Sequence, residues 1–329
     1  MIWLTWRQHR KQALWTAIAL AVLAAALIPT GLGMRSTFED SGLGACLRKL
    51  GGTQLVSGGG CESLSQRFEN QYGAMLFLAI LFVLLPVLVG LFFGSPLVAR
   101  EVENGTHRLV WTQGISRRRW ILTKFGLVGA VALVLSVVYS LGVAWWLAPL
   151  AANGAGRLGY LFFDVQGAAP IGYTLFAVAL GILVGTLSRK VLPAMGISLA
   201  AFVAVRVLVE TLARPHFLPT KTLSYAIDSP LTGNRFTGSW VYQEGVRNGV
   251  GELVLPDARV GCDTDGSGDS AGCVAHFAQQ GFGPAPYTNW QEYQPADRFW
   301  TFQGIETGLF LALTALLLVL AVRRIRRIA

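Results

Sequence analysis

The chain has 329 residues, 53% of them hydrophobic and only 14% charged, with a mean hydropathy of +0.50. Soluble domains carry about 25% charged residues, so this much apolar surface excludes a single water-soluble core and makes the bilayer its solvent. A net charge of +9 would suit nucleic acid if it lay along one soluble face. It is clustered instead at the ends of apolar runs, which makes it a topology signal and argues for no nucleic-acid partner.

Residues 1–11 interleave Trp3 and Trp6 with Arg7, His9, Arg10 and Lys11. That mixture suits an amphipathic helix at the headgroup level; a plain positive flank is the other reading. The apolar run at 12–33 is long enough to cross about 30 Å of hydrocarbon. It is too long for the core of a cleavable signal and lacks a small-residue cleavage site, so it reads as a retained first span. Residues 34–72 are polar and Gly-rich, with Cys46 and Cys61.

The second span is read at 73–96, with Pro86 inside it removing one backbone donor and kinking the helix. Residues 97–124 are too polar for hydrocarbon. Spans three, four and five follow at 125–148, 168–187 and 191–213. A short loop at 149–167 and a tight turn at 188–190 separate them. Trp145 and Trp146 close the third span, as in an interfacial aromatic belt. Residues 214–300 form the longest polar region, with Cys262, Cys273 and the aromatics Trp240, Tyr242, Trp290, Tyr293 and Trp300. Those rings serve either as exposed surface or as a small core. The sixth span is read at 301–322, before a basic tail at 323–329.

With both ends inside, the short pieces 1–11, 97–124, 188–190 and 323–329 hold 15 of the 27 Lys/Arg and only two acids, Glu101 and Glu103. That is a strong positive-inside bias. The sequence therefore predicts an all-α polytopic membrane protein with six transmembrane helices and cytoplasmic N and C termini. An extracytoplasmic loop domain lies between helices 5 and 6. The localisation expected is a bacterial cell membrane. All four cysteines then fall outside, where disulfides persist. The nearest pairing is Cys46–Cys61 with Cys262–Cys273, but four cysteines allow three pairings.

No GxxxxGK[ST], HExxH or CxxC pattern occurs, so no catalytic residue, bound cofactor or metal site is expected in this chain. Asp263, Asp265 and Asp269 begin like a calcium loop, but position 12 is Val274 rather than Glu. Arg206 and Glu210 share a helical face in the fifth span. They read either as a snorkelling interfacial pair or as the wall of a translocation path. Glu306, opening the sixth span, carries the same two readings. Gly181 and Gly185 form a GxxxG that allows close helix packing, and Gly126, Gly129 and Gly142 add small residues to the third span.

The central loop reads Arg100-Glu101-x-Glu103-x-Gly105-Thr106-x-x-Leu109, then Thr112-x-x-x-Ser116-Arg117, then Lys124. This resembles the cytoplasmic loop after the second span in permease subunits of type-2 ABC exporters. The start, MIWLTWRQHR, resembles permeases of that group in actinobacteria. The resemblance covers most of the chain in topology and is residue-specific only in these two stretches. It implies a second permease chain, as a homodimer, and two ABC ATP-binding subunits carrying ATP and Mg. Closure of those subunits would be passed to the spans through a short helix in this loop. Glu101 and Glu103 would begin or precede that helix, Gly105 and Thr106 would turn or cap it, and Leu109 would offer apolar surface. Arg117 would mark re-entry to the membrane. The function implied is export of an amphipathic or hydrophobic compound: a drug, lipid or peptide. Two other readings stand beside it. The loop arginines would bind anionic membrane lipids, or the chain would be a sensor or structural subunit signalling to a cytosolic partner without transport. A proton-coupled carrier would need buried carboxylates at mid-span, and the sequence shows none.

Overall fold

The computed structural model describes residues 2–49, 61–105, 117–227, 238–260 and 270–327. Among them six helices are long and apolar enough to cross a membrane: Leu14–Asp40, Met75–Glu103, Trp120–Asn153, Ala169–Ser188, Val191–His216 and Ala296–Arg326.

Helix α1 (Ile2–Asp40) runs 39 residues without a break, about 58 Å at 1.5 Å per residue. A separate interfacial helix at 1–11 was expected, but residues 2–28 contain neither Gly nor Pro and the backbone continues straight into the span. The described parts of the polar stretch at 34–72 are helical. After α1 come α2 (Leu43–Lys49) and α3 (Glu62–Tyr72), joined by a Cys46–Cys61 disulfide with Cα atoms 5.9 Å apart. Leu43, Leu47 and Phe68 bury themselves against Met34 and Phe82, which gives this cap its own apolar core. Cys262 lies outside the described residues, as does the side chain of Cys273.

The second span is built of α4 (Met75–Val89), a π-helical turn (Gly90–Gly94) and α5 (Ser95–Glu103). Pro86 leaves the Phe82 carbonyl without its i+4 donor, and the Tyr139 hydroxyl supplies one at 2.9 Å. Tyr139 lies on α6 (Arg117–Leu150). Near the end of α6, Trp146 is fully buried and donates to Thr30 Oγ1 at 3.0 Å. It is a core residue and not part of an aromatic belt. Trp145 stays partly exposed, with the Arg35 guanidinium 4.8 Å from its ring.

A second π turn (Ala151–Ala155) leads to the short α7 (Tyr160–Val165) and then to α8 (Ala169–Ser188), the most buried of the six spans. Two glycine pairs let α8 sit against the second span backbone to backbone. A Cβ on Gly90 would lie 2.6 Å from Ala177 atoms, and one on Gly181 would lie 2.7 Å from Ser95 N. No larger residue fits such a crossing. Helix α9 (Val191–Leu208) ends in a third π turn (Val209–Ala213) and a 3₁₀ turn (Arg214–His216).

The region 214–300 corrects the all-α expectation. It holds an antiparallel sheet in the order β1-β4-β2-β3, from β1 (Lys221–Ala226), β2 (Trp240–Arg247), β3 (Leu253–Pro256) and β4 (Thr288–Gln294), with α10 (Ser270–Gln279) beside it. Ile227, Val246 and Tyr287 form a small apolar centre. Trp240 joins the sheet to the bundle, with its ring 5.1 Å from Tyr160 and 6.4 Å from Phe302. Trp240 is thus core, while Trp300 is exposed. The chain closes with α11 (Phe299–Arg327), packed along α8.

Candidate functional site

Five elements deliver charged or hydroxyl groups to one buried point where the bundle meets the sheet. Asp164 comes from α7, Tyr173 from α8, Arg206 from α9, Arg214 from the 3₁₀ turn and Glu306 from α11. The turn between α7 and α8 uses Gly167 at φ +75°, a conformation open chiefly to glycine. Gln303 of α11 secures that turn: its Oε1 accepts from Ala169 N at 2.7 Å and its Nε2 donates to the Phe163 carbonyl at 2.9 Å. One α11 residue thereby fixes α7, the carrier of Asp164, against the helix that carries Glu306.

Each arginine bonds both carboxylates. Arg206 donates to Asp164 Oδ2 at 2.6 Å and to Glu306 Oε1 at 3.0 Å. Arg214 donates to Asp164 Oδ1 at 2.6 Å and to Glu306 at 2.8 Å and 2.9 Å. The Tyr173 hydroxyl donates to Glu306 Oε1 at 2.6 Å. The guanidinium of Arg206 lies 3.8 Å from the Tyr173 ring centre, and that of Arg214 lies 4.4 Å from the ring of Phe163. Taking a charge out of water costs several kcal/mol, and a buried pair recovers this only when its hydrogen-bonding ends are met. Two cations bonded crosswise to two anions, with aromatic faces against the guanidinium planes, meet most of those ends; Arg214 Nη1 makes no hydrogen bond and faces Glu210 at 3.9 Å.

Glu210 is the outlying member. Its carboxylate is 3.9 Å from both arginines and 25% exposed. The i,i+4 pair legible in the sequence is therefore the weakest contact of the group. Arg206 does not snorkel; it turns into the protein. Glu306, the ambiguous acid, is fully buried. Sequence reasoning missed Asp164, Tyr173 and Arg214. A signal existed for Asp164, the one charge in the apolar run Leu158–Val165. Glu306 lies near the start of the sixth span and is neutralised by both arginines, so it is not the mid-span carboxylate that a proton-coupled carrier would need.

The coupling residues expected in the loop sit at the opposite end of α9, where Val191 precedes Arg206 by 15 positions, about 22 Å of helix. Arg100, Glu101 and Glu103 occupy the last turns of α5. The two acids end this helix; the loop helix they were expected to begin or precede falls outside the described residues. Asn104 caps that end and Gly105 follows at φ +69°. Glu101 accepts from Lys124 Nζ, whose ammonium lies 5.0 Å from the Trp120 ring. Glu103 Oε2 accepts from Val191 N at 3.0 Å. Arg117 is the first residue of α6, with its side chain outside the description. Thr106 and Leu109 lie outside the described residues.

The sequence also contains Gly268-Asp269-Ser270-Ala271-Gly272, a GxSxG pattern. A nucleophile elbow needs a strand-to-helix turn on an α/β-hydrolase sheet. Here Ser270 opens α10 beside a four-stranded antiparallel sheet, so that context is not met. Among the described residues no group of three His, Cys, Asp or Glu is placed to hold a metal. In the buried cluster both carboxylates are held by arginines, and the Tyr173 hydroxyl is bonded to Glu306. What it does chemically is hold three spans, the short α7 and the base of the sheet together by charge.

A family model described as "ABC-2 membrane transporter related" matches residues 17–214, from the first span through the arginine that closes the cluster. No curated protein and no solved structure matches the chain.

Proposed function

The chain belongs to the ABC-2 membrane transporter related family, and from that premise we propose that it is the membrane-spanning permease subunit of an ATP-driven exporter. It works with a second copy of itself and two ATP-binding subunits. The cargo is amphipathic or hydrophobic: a drug, lipid or peptide. The observation that carries this reading is the family match over 17–214, laid on a chain with six apolar helices and no GxxxxGK[ST] of its own. Energy must then come from another protein, and the loop after the second span is the natural place to receive it. Both termini and that loop lie on the cytoplasmic side of a bacterial cell membrane, with the sheet outside.

Two measurements test the proposal. The tagged chain, purified from its native membrane in mild detergent, should bring with it a protein that hydrolyses ATP. Inverted vesicles containing the complex should accumulate a lipophilic fluorescent dye only when ATP is supplied. If dye uptake does not depend on ATP and the purified chain carries no ATPase, the reading as a permease fails and a signalling subunit becomes the better account.

A further inference from the structure

Glu101 and Glu103 each accept a bond from within the chain, Glu101 in a part-buried pair and Glu103 at an exposed position. Lys124 and Glu101 pair where their side chains are only 7% and 13% exposed. A buried ammonium without that carboxylate would be strongly disfavoured. Val191 is the first residue of α9, and the first N–H groups of a helix have no intrahelical acceptor. The residue before it, Lys190, makes no side-chain cap, and the Ser188 hydroxyl is turned to the Lys190 carbonyl. Glu103, 88 residues earlier in sequence, supplies the missing acceptor. It also brings a negative charge to the positive end of the helix dipole.

Resting on the reading of the chain as a permease driven by a separate ATPase, we infer that Glu101 and Glu103 are positioning residues. They tie the end of the second-span helix to the third and fifth spans, and it is through these ties, not by touching the partner, that they serve coupling. A displacement of the chain after Glu103 then moves the first turn of α9. The far end of that helix carries Arg206, and Arg214 follows it in the 3₁₀ turn, both in the buried cluster. The fifth span is thus gripped by charge at both ends.

Glutamine at 103 keeps the acceptor oxygen and removes the charge; alanine removes both. The chain alone, in lipid nanodiscs, is compared by hydrogen–deuterium exchange as wild type, Glu103→Gln and Glu103→Ala. Loss of a helix cap should speed exchange at the first amides of α9 about fivefold in the alanine variant, with the glutamine variant within about twofold of wild type. Unchanged exchange in Glu103→Ala would overturn the tie. With the ATPase bound, partner recovery should equal wild type in both variants, while permease-dependent stimulation of ATP hydrolysis falls in Glu103→Ala and survives in Glu103→Gln. Equal loss in both, or loss of partner from both, would show that the charge itself meets the partner. For the second tie, Glu101→Lys combined with Lys124→Glu should restore the stimulation that Glu101→Lys removes, and failure to restore it counts against the pair. A wild-type chain that binds no ATPase defeats the permease reading alone, since the exchange comparison still decides the ties.

Discussion

Arg214 meets Glu306 fork to fork, Nε to Oε2 at 2.8 Å and Nη2 to Oε1 at 2.9 Å. Both side chains are essentially removed from solvent. Removing one member of a buried pair leaves the other uncompensated, at about 3–5 kcal/mol. Glu306→Gln should therefore lower thermal stability sharply. Glu210→Gln should cost about 1 kcal/mol or less, because Glu210 is farther from the arginines and partly solvated. Melting followed by size-exclusion of detergent-solubilised protein ranks the two. Equal losses would mean that Glu210 is a full member of the cluster.

The glycines divide into two classes that substitution to alanine will separate. At Gly181 and Gly185 an added methyl would meet Ser95 backbone atoms at 2.7 Å and 2.6 Å. Backbone cannot rotate away, so the helices must part, and overpacking of this kind destabilises by about 1–3 kcal/mol. At Gly126, Gly129 and Gly142 nothing lies within 4 Å, so alanine there should leave the fold of a single chain intact. Expression level and melting temperature of the five variants check the division.

How much of this was legible beforehand differs by region. The six spans followed from apolar run length, because a bilayer demands it. The sheet did not, because β4 inverts the usual pattern. Its fully buried positions are Asn289, Gln291 and Gln294, and these are held by hydrogen bonds rather than by apolar contact, although Gln291 Oε1 has no partner. Asn289 exchanges two bonds with the Val260 backbone at 2.9 Å and 2.6 Å, and Gln291 donates to Glu244 at 2.8 Å. Hydrophobic alternation has nothing to register there. The cluster was half visible. Arg206 and Glu306 stood out as charges inside apolar runs, but Asp164 and Arg214 lie 50 residues apart in sequence and only the fold brings them together. Glu101 and Glu103 were found as residues, but the bonds they make were not. Their helix continues from the span, and no local signal marks Val191 or Lys124 as their partners.

Tyr139 offers a test of how the backbone donor missing at Pro86 is tolerated. Its hydroxyl is the donor that the Phe82 carbonyl lacks. Tyr139→Phe keeps the ring, which packs 6.3 Å from Phe82, and removes only the hydrogen bond. Interhelical bonds of this type in membranes contribute about 0.6 kcal/mol, rarely beyond about 1.7. The variant should melt slightly lower with ATPase coupling unchanged. A larger loss would mean that the helix around Pro86 depends on this one donor.

The Cys46–Cys61 bridge closes a separation of 15 residues, which in the chain-entropy account is worth about 3 kcal/mol. Cys46→Ser should therefore loosen α2 and α3 while leaving the spans assembled. Limited proteolysis of wild type and variant, with and without reductant, checks this. Wild type with reductant should match the variant without it.

The side on which that bridge lies is itself testable. Positive-inside asymmetry puts the turn at 188–190 in the cytoplasm, and a disulfide persists where the medium is oxidising. Both arguments predict the sheet and the α2–α3 cap outside. Lys190 and Val250 are exposed and belong to opposite ends of the molecule on this topology. Cysteine introduced as Val250→Cys should react with a membrane-impermeant maleimide on intact cells, measured against the wild-type background. Cysteine introduced as Lys190→Cys should react only after the cells are permeabilised. The opposite result would invert the whole chain. It would put the Glu101 and Glu103 ties on the outer face, out of reach of any ATP-hydrolysing partner, so the orientation and the proposed energy source stand or fall together.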